Sequence, residues 1–250
     1  MRDLDHRRLG RELGLFDTDP LMGAGLPYWL PDGAVVRHTL EEYVREAERA
    51  AGYRHVYSPV LGKRELYELS GHWDHYRDDM YPPMDVGGEQ MQIDFHQPER
   101  FGLRYIGPDG ARHRPVMVHR SVIGSVERAV AHLLEEHGGA FPPWLAPLQL
   151  VALPVGEEQE EHAHAVVREA AALGLRAEVG GLAEGSLGAR IRRARLVPYQ
   201  AVLGAREAAD GLLAVRLRDG RRPGVLPVAE FLRRVEGRVR ARGTALWEPA

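Results

Sequence analysis

Apolar positions recur at helical spacing from Ala34 to Ala51, with Val35, Val36, Leu40, Tyr43, Val44 and Ala47 on one face and Glu41, Glu42, Arg45, Glu46, Glu48 and Arg49 on the other. Gly52 ends this predicted helix, and Tyr53–Tyr57 then alternates as a strand would, stopping before Pro59. A second helix is predicted after the small-residue turn at Gly124 and Ser125, where Val126, Val130, Leu133 and Leu134 face the core and Glu127 and Arg128 fall in the first turn. Ahead of that turn Val116, Met117 and Val118 read as a buried strand, and shorter strands are expected at Met91–Phe95 and Leu103–Ile106, followed by a turn at Pro108–Gly110. The chain opens on a short polar helix ending near Gly14. GAGLPYWLPDG, residues 23–33, reads as an irregular turn that holds Tyr28 and Trp29 inside.

From Leu148 the pattern changes to strands separated by helices. LQLVALPV is a buried strand, Glu157–Leu173 a helix with Ala163, Val166, Val167, Ala170 and Leu173 inward, and RAEV a strand. A helix over Leu187–Leu196, a strand in YQAVLG, a turn between LLAVRLRDG and PGVLP, and a last helix over Val228–Arg242 complete it. Such alternation predicts an α/β layer with a mixed sheet. The proline-rich FPPWLAP, residues 141–147, marks the expected boundary, giving an α+β domain with an antiparallel sheet and helices over 1–145 and an α/β domain over 146–250.

Composition narrows the class. With 250 residues, 44% hydrophobic and 28% charged, the chain suits one large or two ordinary globular domains. The absence of cysteine excludes disulfides and thiolate metal sites, and no charge-free apolar run is long enough to span a bilayer. The N-terminal stretch is charged and lacks the apolar centre of a signal peptide, so a cytoplasmic protein without membrane contact is expected. Lys63 is the single lysine, so arginine usage by itself says little; its distribution says more, since Gly185–Arg242 holds 14 arginines against 5 acidic residues. A basic second half suits a polyanion partner, and equally a solvated arginine surface.

Candidate chemistry gathers at HRPVMVHRSVIGSVERAVAHLLEEHGG, residues 113–139, where strand, turn and helix start succeed one another. Arg128 in the first turn can reach a nucleotide or a carboxylate, and free N–H groups there favour an anion. In RPVMVHRSVIGSVER and the following GGAFPPWLAPLQL the chain resembles motif 3 of the class II aminoacyl-tRNA synthetases, and among them the threonyl-tRNA synthetases. DHRRLGRELGLF, residues 5–16, is similar to that family's lead into its catalytic domain, and Gly52, Tyr53, Val56 and Pro59, with SGHWDHYRDDMYP after them, resemble motif 1, the helix and strand of the dimer interface. GSLGARIRRARLVPYQAVLGAREAADGLLAVRLRDG resembles the anticodon-binding domain.

The resemblance implies that Arg128 and Gln92 lie on ATP, that Asp94, Ser125 and His119 border the substrate pocket, and that His119 is one of the family's zinc ligands. It also implies a loss. PPMDVGGEQ leads almost at once to MQIDFHQPERF, so the family's central region, with motif 2 and the other zinc ligands, has no counterpart, and roughly half of a catalytic domain is missing by that comparison. His119 alone does not hold zinc, and His72 with His75 supplies a pair without further ligands. Val179–Leu182 stands where the family has polar groups that contact anticodon bases, while Arg190, Arg192, Arg193 and Arg195 remain for phosphate contacts, which position an RNA without reading it.

The expectation is a partial class II synthetase-like core followed by an anticodon-binding-type domain, deficient in threonine activation and binding tRNA or another RNA weakly and unselectively. It is expected as a homodimer or in association with a full-length synthetase, with zinc absent. The alternative is a working threonine-activating or aminoacyl-transfer enzyme using ATP and Mg, completed by a partner chain.

Overall fold

The structure, a computed structural model, describes residues 5–23, 26–57, 61–63, 84–86, 89–93, 105–113 and 123–247. Two compact units divide the chain: residues 1–47 with 123–250, and residues 48–122.

Helix α1, His6–Glu12, starts at Asp5, whose carboxylate accepts a hydrogen bond from the Arg7 amide. Strand β1, Phe16–Thr18, pairs antiparallel with β2, Pro27–Trp29, so the expected irregular turn around Tyr28 and Trp29 is a strand. Register decides this: Phe16 lies opposite Trp29, and their rings meet edge to face at 6.0 Å. Helix α2, Pro31–Ala50, begins at Pro31 rather than Ala34, since proline suits a first helical turn and Gly33 lets the helix start lie against backbone. A Cβ on Gly33 would sit 1.8 Å from the Leu15 carbonyl oxygen. Of the predicted apolar face, only Val36 and Leu40 are buried, while Tyr43 and Ala47 remain exposed.

In the second unit β3 (Leu61–Lys63), β4 (Met84–Val86) and β5 (Glu89–Ile93) form an antiparallel sheet with β5 central, and β6 (Tyr105–Ile106) pairs with β7 (Arg112–His113) across the expected turn. Gly110 in that turn has φ +73°. Tyr53–Tyr57 is not the predicted strand. Alternation alone does not make one without a neighbour to hydrogen-bond, and none pairs with it among the described residues. The predicted strand at Val116–Val118 and the pair His72 and His75 lie outside the described residues.

Helix α3, Val126–His137, follows Ser125 as predicted and ends at Gly138, whose left-handed backbone returns its amide to the Leu134 carbonyl. Val130 and Leu134 join Leu15, Val36, Leu40, Phe141, Leu145 and Ala146 in one core cluster.

The α/β layer has the strands β8 (Leu150–Pro154), β9 (Ala177–Val179), β10 (Tyr199–Leu203), β11 (Leu212–Leu217) and β12 (Gly224–Pro227). Their order is β12-β11-β10-β8-β9, parallel at β9-β8-β10 and antiparallel beyond, which is the mixed sheet expected. The helices are α4 (Glu160–Ala172), α5 (Leu187–Arg193), α6 (Ala205–Ala209) and α7 (Val228–Arg240). Alternate residues of β8 serve opposite layers. Leu150 and Ala152 pack with Ala163, Val166 and Ala170 of α4 and Phe231, Leu232 and Val235 of α7. Val151 and Leu153 pack with Leu187, Ile191 and Ala194 around α5. Helix α5 stops short of the predicted Leu196 because Gln200 donates its amide to the Ala194 carbonyl at 3.0 Å and the Ile191 carbonyl at 3.4 Å, taking up carbonyls at the helix end. Helix α6 was not anticipated, being too short to show a period.

FPPWLAP is no exposed linker. Phe141, Leu145 and Ala146 are buried, and three side chains of the α/β layer bind its backbone: Arg176 donates to the Trp144 and Ala146 carbonyls, Arg218 to the Phe141 carbonyl, and Gln149 to the Pro143 carbonyl at 2.9 Å. Among the described residues no helix is long and apolar enough to cross a membrane.

Candidate nucleic-acid interface

Two places hold candidate chemistry. The first is the start of α3. Ser125 caps it, accepting from the Arg128 amide at 3.4 Å and donating to Glu127 at 2.6 Å. That hydrogen bond, reinforced by the Arg37 charge, holds the Glu127 carboxyl below its ordinary pKa. Arg37 meets Glu127 at 3.5 Å and lies 5.7 Å from the Trp29 ring centre, so α2 and β2 fix the first turn of α3. The Arg128 side chain is exposed and has no hydrogen bond or ion pair among the described residues. Ser125 and Arg128 are thus brought together. Gln92 lies in central strand β5 of the other unit, and Asp94 and His119 fall outside the described residues.

The second place is α5 and the turn before it. Of the four predicted arginines, Arg190 does not belong to an exposed face: it is 2% exposed and donates to the Gly180 carbonyl at 2.9 Å and the Gly185 carbonyl at 3.1 Å. Helical spacing turns it inward, where backbone oxygens offset the cost of burying its charge. Arg193 pairs with Glu184 at 2.7 Å. Arg192 and Arg195 are exposed, with no partner among the described residues. Gly180, read from sequence as a lost base contact, is needed for packing: a Cβ there would lie 2.6 Å from the Leu153 side chain and 3.2 Å from Val151.

Sequence reasoning passed over Arg216. It lies directly opposite Gln200 in the β10–β11 ladder, and the Arg216 Nε and Gln200 Oε1 are buried without hydrogen-bond partners. Both point to the α5 side of the sheet, away from Tyr199, Leu213, Val215 and Leu217. On the same side Val225 of β12, opposite Ala214, is half exposed. The outward position of Arg216 was visible in the alternation of LLAVRL; its pairing with Gln200 was not, because register between distant strands is set by the fold. The segment after β8 carries Glu157 and Glu158, both exposed, whose charges would repel phosphate. Among the described residues no group of three or more histidines and acids is placed to hold a metal ion.

Comparison with known proteins agrees with this layout. Residues 149–238 match the family model described as the anticodon binding domain. Threonine--tRNA ligase of Lactobacillus acidophilus is 30% identical over 380 residues, an alignment taking in 86% of this chain and 59% of the relative. That of Anoxybacillus flavithermus is 27% identical over 402 residues, with 96% of this chain and 62% of the relative covered. The chain therefore spans about 59 to 62% of the length of these relatives. The matched stretches are also longer than the chain itself, so the relatives carry residues within them that this chain lacks. In fold, the RNA binding domain of threonyl-tRNA synthetase from Cryptosporidium parvum superposes with a TM-score of 0.85 at 20% identity, covering 97% of this chain and 99% of that one. Prolyl-tRNA synthetase from the same organism gives 0.66 at 11% identity, covering 95% and 77%. Residues 149–238 are accordingly an anticodon-binding domain of the class II synthetase type, in a chain homologous to threonine--tRNA ligases over most of its length.

Proposed function

We propose that this chain binds tRNA through its 149–238 domain and does not activate threonine by itself. The observation that carries the reading is a family-matched anticodon-binding domain with two exposed, partnerless guanidinium groups, Arg192 in the last turn of α5 and Arg195 just beyond it. Phosphate contacts of this kind give weak, salt-sensitive and poorly selective binding. Arg216, half-buried on the α5 side of the sheet, adds a cation near the same RNA.

Deficiency in activation is supported by what the sequence lacks. Adenylation needs arginines and Mg on the ATP phosphates, and among the described residues the α3 start brings together Ser125 and Arg128 of the family's set. Rejecting valine in favour of threonine needs polar or metal contacts to a hydroxyl. The donor set does not fit zinc: there is no cysteine, and His119 is the one family ligand retained. The exposed Tyr43, Tyr53, Val56 and Tyr57 support self-association, or association with a full-length synthetase, through the α2 segment. A cytoplasmic location goes with this reading.

A second reading is favoured by the intact α3 start: an active threonine--tRNA ligase or aminoacyl-transfer enzyme, using ATP and Mg, whose missing core comes from a partner chain. ATP–pyrophosphate exchange with threonine separates the two. No exchange by the chain alone, together with tRNA binding that weakens steeply with salt, is the expected result; exchange by the chain alone would overturn the first reading, and exchange restored only by a full-length synthetase would favour the second.

A further inference from the structure

The first unit contains a groove of about 710 Å³ walled by α1, the start of α2, Gly138–Phe141 after α3, and Arg193–Val197 after α5. That size is typical of sites enclosing a small ligand. Its floor is apolar, with Leu15, Phe141 and Ala146 buried beneath it. Its rim carries both signs of charge. Arg8 is engaged with Glu12 at 3.2 Å and Arg193 with Glu184 at 2.7 Å, so these charges are already compensated. Asp32 and Arg195 also line the groove, and neither side chain has a hydrogen bond or ion pair among the described residues. Burial disfavours the charged form of the His137 imidazole in the same wall, so no further cation stands there near neutral pH. The C-terminal end of α3 opens into the groove and favours a positive group.

We propose that this groove is a binding site for a short zwitterionic ligand with an apolar body, of the di- or tripeptide class, its ammonium at Asp32 and its carboxylate at Arg195. Nucleic acid fits the groove poorly, because Glu12 and Asp32 would face its phosphates. A purely apolar ligand would leave both lone charges without partners as it displaced their water.

The test uses the isotope-labelled chain in the absence of RNA, so its outcome does not depend on the RNA-binding reading. Leucyl-leucine is titrated by heteronuclear NMR alongside leucine and trileucine, which vary the spacing of the two charges, and alongside N-acetyl-leucyl-leucine amide, which removes both. A saturable response confined to α1, the start of α2, Gly138–Phe141 and Arg193–Val197 is expected, with affinity reduced about tenfold or more for the blocked peptide and for Asp32→Asn and Arg195→Gln. Asp32→Glu restores binding. If Asp32→Asn fails to fold, Arg195→Gln and the blocked peptide decide. The proposal is overturned by no response to any of the charged peptides at about 10 mM, a response elsewhere, or equal affinity for the blocked peptide.

Discussion

Arg190 and Arg192 lie two positions apart on one short helix and do unrelated work. Arg190 holds the turn before α5 by bonding the Gly180 and Gly185 carbonyls, whereas Arg192 faces water. Replacing Arg192 and Arg195 together by Ala should leave thermal stability within about 0.5 kcal/mol and flatten the salt dependence of tRNA binding by about one to two logarithmic units, equally for threonine tRNA and an unrelated tRNA. Arg190→Ala should instead destabilise the fold by roughly 2–4 kcal/mol, because the buried Gly180 carbonyl and the more open Gly185 carbonyl lose a charged donor. A selective loss of threonine tRNA in the double variant would mean that these side chains read sequence. Tyr199 gives a pH prediction at the same scale. Its hydroxyl donates to the Leu246 carbonyl at 2.8 Å, and burial pushes the phenol from its ordinary 10.0 up to about 12. A raised pKa means that the folded state prefers the neutral form. The contribution is complete below pH 10 and is lost as pH climbs through about 12, worth at most about 3 kcal/mol. Denaturant titrations should show stability falling more steeply across that window in the native chain than in Tyr199→Phe; parallel curves would exclude it.

At the scale of elements, α3 and α2 contrast. Ser125→Ala should cost about 1 kcal/mol through the lost cap, and it also frees Glu127 from the bond that lowers its pKa. Gly33→Ala should cost more, roughly 2–3 kcal/mol or above, because the obstacle is the Leu15 backbone rather than a movable side chain. The distal half of α2 predicts association. Tyr43 lies under the Arg242 guanidinium and against Trp144 yet stays 41% exposed, and Val56 and Tyr57 beyond the helix are 88% and 87% exposed. Sedimentation at micromolar concentration should give a dimer; a monomer that also fails to associate with a full-length synthetase would count against the surface. Both helices were legible because each repeats its apolar residues over several turns. The α2 start, β2 and the C-terminal limit of α5 were not, since Pro31 with Gly33, the Phe16–Trp29 register and the Gln200 amide settle them, and these depend on partners distant in sequence or on backbone contact. Tyr53–Tyr57 shows the converse, a strand-like pattern that forms no strand where no neighbour among the described residues pairs with it.

At the scale of the molecule, the unit that carries the candidate interface is assembled from the two ends of the chain, and FPPWLAP joins its parts as a buried clasp. Arg176 is central to that clasp: it binds the Trp144 and Ala146 carbonyls, and burial disfavours its charge, so the carbonyls must compensate. Arg176→Ala should destabilise the fold by roughly 2–4 kcal/mol and broaden the thermal transition as the α/β layer separates from the rest; a single sharp transition at the native temperature would show the clasp to be dispensable. The α/β alternation from Leu148, the mixed sheet it implies, the capped start of α3 and the excess of arginine near α5 are legible along the chain, because periodicity, capping and charge are properties of neighbouring residues. That Gly180 lies close against Leu153, that Arg190 is a buried support, that Arg216 meets Gln200, and that Asp32 and Arg195 line one groove emerges only on folding. Each of these depends on which surfaces far apart in the chain come to lie together, and local pattern carries no record of that.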